Sequence, residues 1–122
     1  MPDILAPAAE RGRLDVHPRV VEAVGRRSAG EVEGVVPTRP TGLDSLVRHR
    51  LPGADARDDA GRARLEVQVA TLWGRPAADV AGRVQRHVAA RVTELTGLPV
   101  EAVHVTVAAV VVPEDRHDRR VL

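Results

Sequence analysis

The sequence has no cysteine, phenylalanine, tyrosine or lysine, and it holds one tryptophan, Trp73, among 122 residues. Without cysteine it forms no disulfide and offers no thiolate nucleophile and no Cys-based zinc or iron-sulfur ligands. Without Phe or Tyr, its core has to be built from many small contacts, chiefly of Val and Ala. No apolar run approaches the roughly 20 residues needed to span a bilayer, so any membrane contact is expected to be peripheral or borrowed from a partner. Met1 to Glu10 carries Pro2, Asp3 and Pro7 and has neither the basic start nor the continuous apolar run of a signal peptide.

An excess of one charge is missing too. Eighteen basic residues, all arginine, face seventeen acidic ones for a formal net charge of +1. That balance sets up no strong long-range field for drawing in DNA, RNA or anionic lipid. The length suits one domain with one core. We expect a flexible leader over 1–10, one α+β domain over 11–113 with a long loop at 38–62, and a charged tail over 114–122.

What is present is patterned. Gly12 to His17 alternates apolar with polar and reads as a short first strand. Pro18 then opens a helix to about Ala29, with Val20, Val21 and Val24 at helical spacing and Gly30 as its stop. Glu31 to Pro37 reads as a second strand with a bend at Gly34. Thr38 to Gly61 reads as a connection with a helical turn near Leu43 to Arg48. Arg62 to Leu72 alternates Leu65, Val67 and Val69 against Arg64, Glu66 and Gln68, a half-buried strand. Pro76 opens a long amphipathic helix in which Val80, Val84, Val88 and Val92 recur every four residues, with Asp79 at its positive end and Thr96-Gly97-Leu98-Pro99 as its stop. Val100 to Val112 is the last strand. The predicted fold is α+β, with two helices on one face of a small mixed β-sheet in the order β-α-β-loop-β-α-β.

Three segments resemble the alkaline shock protein twenty-three family, also known as Gls-type general stress proteins. They are Gly12-Arg13-Leu14-Asp15-Val16-His17-Pro18 with Val20-Val21 and Glu31-Val32-Glu33-Gly34-Val35; Leu65 to Val69 with Trp73-Gly74; and Val80 to Gln85 through Val88, Val92 and Thr96-Gly97-Leu98-Pro99-Val100 to Val103-His104-Val105-Thr106-Val107. The third is the most specific. His17 departs from the pattern, standing where the family often has a capping Ser, which is expected to weaken the first helix's cap. The Arg- and Asp-rich connection departs as well. The resemblance implies a cytoplasmic protein of the envelope stress response, gathered at the inner membrane surface by a membrane-anchoring protein and able to self-assemble. It implies no catalysis and no cofactor.

The residues themselves carry no convincing catalytic or metal site. His17, His49, His87, His104 and His117 fit no ligand spacing, and Asp15 with His17, or Asp79 with His87, are only sequence neighbours. An enzyme built on Asp15, His17 or His104 ranks third among the readings. Gly25, Gly30 and Gly34 do not form a phosphate loop. Arg48, Arg50, Arg57 and Arg62 could meet a polyanion, which makes an RNA- or DNA-binding module the alternative reading. Asp44, Asp55, Asp58 and Asp59 are interleaved with them, however, and no stacking aromatics accompany them. The candidate interface residues are Trp73, Val110, Val111 and Val112. Trp73 reads equally as an exposed anchor or a core plug, and the last strand as a buried central strand by default or as a self-associating edge.

Overall fold

The computed structural model describes residues 15–38 and 50–113. In chain order its elements are α1 (Pro18–Gly30), β1 (Val35–Val36), β2 (Gly53–Asp59), β3 (Arg62–Leu72), α2 (Ala77–Thr96) and β4 (Val100–Val111).

The strand β3 is the spine of the sheet. Its alternation puts Ala63, Leu65, Val67 and Val69 in the core, while Arg62, Arg64 and Glu66 stay in water. On one side β2 pairs antiparallel with its first half, Ala54 opposite Val67 and Ala56 opposite Leu65. Beyond β2 on that side, β1 pairs antiparallel with its end, Val35 opposite Thr71. On the other side β4 runs parallel to β3 from Ala63↔Val100 to Leu72↔Val111. A parallel neighbour needs a crossover, and α2 supplies it. The sheet is therefore mixed, as the sequence suggests.

Both helices lie on the face that receives Leu65, Val67, Val69 and Val103. Val80, Val84, Val88 and Val92 are fully buried, the four-residue recurrence read from the sequence. The α1 helix comes closest to the sheet at Gly25, where an added Cβ would sit 3.0 Å from Leu65 Cδ2. A side chain there would push on Leu65 and on Ala54, 3.3 Å away. Gly97, at φ 78°, ends α2 with its N–H bonded to the Thr93 carbonyl.

Three expectations need correction. Asp15 to His17 is not a strand but leads into α1, and residues 12–14 of that expected strand lie outside the described residues. Of the second strand only Val35–Val36 survives, because Glu31 caps α1 and residues 31–34 turn. The 38–62 segment is not all loop, since Gly53–Asp59 is β2. A two-residue turn with positive φ at both Ala60 (56°) and Gly61 (82°) joins β2 to β3. It is the hairpin turn whose twist matches the strands, and Asp58 Oδ1 accepts from the Gly61 N–H at 3.0 Å. The helical turn expected near 43–48 lies outside the described residues.

Candidate assembly surface

Each side of the sheet ends differently. On the β2 side, the Glu22 carboxylate of α1 accepts a hydrogen bond from the Ala56 N–H at 3.0 Å. Asp55, Arg57, Asp58 and Asp59 line the same strand with exposed charge. Charge and a covering side chain are two ordinary ways of keeping a strand edge from pairing with another chain.

The β4 side carries less charge. Among the described residues β4 pairs with β3 alone, so the twelve residues of Val100–Val111 form a sheet edge. The expected default, a buried central strand, is thereby corrected. The helix α2 covers its inner face, and Gln85 Nε2 donates to the Val103 carbonyl at 2.9 Å. The only acidic or basic side chain on it apart from His104 is Glu101, which lies 3.4 Å from Arg64. A register irregularity falls near its end, where Val69↔Val107 is followed by Ala70↔Ala109.

Past that irregularity the surface turns apolar. Val110 is 49% exposed, Val112 59% and Trp73 66%, and Val111 is half-buried between them. The Trp73 N–H donates to the Val111 carbonyl at 2.8 Å, which holds the indole's backbone against the end of β4. The structure thus brings all four candidate interface residues together and places Trp73 outside the core.

The candidate polyanion residues are split. Arg48 lies outside the described residues. Arg57 and Arg62 stand on the β2–β3 hairpin among Asp55, Asp58 and Asp59. Arg50 instead lines a cavity with Arg26 and Arg27 of α1. The histidines also disperse. His17 Nδ1 accepts from the Arg19 N–H at 3.1 Å, so it caps α1, contrary to the expected weakening. His87 Nε2 lies 2.7 Å from Glu31 Oε1 rather than near Asp79, and His104 is exposed on the sheet face. His49 and His117 lie outside the described residues. No group of three or more acidic or histidine side chains converges as a metal site among the described residues.

Two carboxyls in the turn after α1 are held below their ordinary range. Glu31 is lowered chiefly by its hydrogen bond with His87, against an opposing desolvation cost, with the charges of Arg91, His87 and Arg27 adding to the effect. Glu33 is lowered by the hydrogen bond from Arg75, at 2.9 Å, and by that residue's charge. These contacts clamp the α1–β1 turn to α2 and to the turn that precedes it. Sequence reading missed Glu22, Arg26 and Arg27, because their roles come from tertiary contacts such as that between residues 22 and 56.

Residues 6–112 match the family model for the alkaline shock protein twenty-three family, described as having a cell envelope-related function. The chain belongs to that family. A membership covering this span makes the cell envelope the setting of its function. No curated protein matches the chain. Solved structures of similar course include a MamM-CTD variant with a glutamate-to-alanine change, at 18% identity and TM-score 0.49, covering 76% of this chain and 99% of that one. Another is the manganese form of a MamM CTD variant with a glutamate-to-aspartate change, at 17% identity and TM-score 0.48, covering 76% and 99%. No helix among the described residues is long and apolar enough to cross a membrane.

Proposed function

We propose that this family member is a non-enzymatic scaffold of the envelope stress response, which assembles with itself and is gathered at the inner membrane surface by a membrane-anchored partner. The observation that carries the reading is the edge that the twelve residues of β4 form among the described residues, ending in exposed Trp73, Val110 and Val112. Unpaired backbone groups along a strand recruit another strand, and exposed apolar anchors at its end supply buried area. The contrast with the more heavily charged β2 edge supports β4 as the side kept open for assembly. Family membership supports the envelope setting.

The test is crosslinking in native cells, followed by capture of the protein from separated membrane and soluble fractions. The proposal expects self-crosslinks and a membrane-anchored protein in the membrane fraction. Recovery of nucleic acid with a soluble monomer would overturn it in favour of a nucleic-acid-binding module.

A further inference from the structure

The fold brings Arg50 to the same groove as Arg26 and Arg27 of α1. Arg26 and Arg27 come from the last turns of α1, and Arg50 from the residue before the Thr38–Leu51 bridge, whose paired hydrogen bonds of 2.9 and 3.0 Å fix that segment. All three line one open groove of about 490 Å³ together with Ala23, Leu51 and Pro52, and no carboxylate is among the lining residues. Among the described residues Arg64, Arg75 and Arg91 form ion pairs, whereas Arg26, Arg27 and Arg50 form none. The charge of Arg27 reaches the carboxylate of Glu31, which is not among the residues lining this groove. Thr38 lines the same groove, and its buried hydroxyl has no hydrogen-bond partner among the described residues.

Three arginines line this one groove with no carboxylate among its described lining residues, in a chain whose net charge is only +1. Planar guanidinium forks match the oxygens of a phosphate, and several arginines on one groove can each supply such a fork. Ala23, Leu51 and Pro52 add apolar surface to the same groove. The geometry points to a binding site for a phosphate-bearing ligand, either a phospholipid headgroup or a soluble phosphoester, held by Arg26, Arg27 and Arg50. The site is separate from the β4 edge, and it stands or falls independently of self-assembly.

The test uses the full chain and two variants, R26Q/R27Q/R50Q and, as a control for charge removed elsewhere, R83Q/R86Q. All five arginines lie on the surface or at its margin, and circular dichroism checks that both variants fold. Inorganic phosphate is titrated while backbone amide shifts are followed by NMR, and co-sedimentation is measured with phosphatidylglycerol and with phosphatidylcholine vesicles. The expected result is saturable binding that weakens about tenfold or more in R26Q/R27Q/R50Q and by less than about twofold in R83Q/R86Q. Saturable shifts at residues 26, 27 and 50 with free phosphate alone assign a soluble phosphoester. Sedimentation with phosphatidylglycerol that is lost in the triple variant assigns a lipid headgroup. No binding to either probe, or equal losses in both variants, overturns the site. The light-scattering mass of the triple variant reads assembly separately.

Discussion

Gly34 shows how closely single residues are specified. Its φ of +98° is open to glycine and strained for any other residue, and a Cβ there would lie 2.9 Å from Val80 Cγ2 at the start of α2. Gly34→Ala should therefore cost about 2–3 kcal/mol by urea denaturation, since both strain and overpacking oppose it. A cost below about 0.5 kcal/mol would show that the turn relaxes freely. At Glu31 the depressed carboxyl favours the folded state whenever the group is ionised. That contribution is complete above the ordinary carboxylate value of 4.5 and is lost as pH falls through the lowered one. His87→Ala removes the dominant hydrogen bond, so the Glu31 titration followed by NMR should move up toward 4.5. An unchanged titration would assign the shift to the neighbouring arginines instead.

Among the elements, legibility followed apolar content. The β3 strand and α2 were readable because Leu65, Val67 and Val69 alternate and Val80, Val84, Val88 and Val92 recur every four residues, each set facing the core. The β2 strand was not. It buries only the small side chains Ala54 and Ala56 in part, carries four charged residues, and turns through Ala60, an unusual residue at positive φ. Its neighbour β3 and the Glu22 bond hold it, and neither leaves a local pattern. Glu22→Ala should leave the Ala56 N–H without its protein partner, cost about 1 kcal/mol, and speed exchange at that amide. Unaltered exchange at Ala56 would mean that the carboxylate does not guard this edge.

For the whole molecule, the arrangement of edges matters more than any cavity. A sheet with β3 at its centre has to end somewhere on both sides, and among the described residues one end is heavily charged while the other is long, sparsely charged and finished by Trp73, Val110 and Val112. The sequence showed that the last strand was Val-rich and that Trp73 stood alone, but not which side of the sheet the strand would occupy. Long-range pairing decides that, and the Trp73–Val111 contact shares its origin. Trp73→Ala should weaken association by about tenfold or more, if the indole anchors the contact, without lowering monomer stability, because the ring is outside the core. The most direct measurement is the light-scattering mass of the purified wild-type protein beside V110D/V112D. The account predicts a multiple of the 13.1 kDa chain for the wild type and a folded monomer for the variant. A wild-type monomer at every concentration, or an oligomer that both aspartates leave intact, would contradict it.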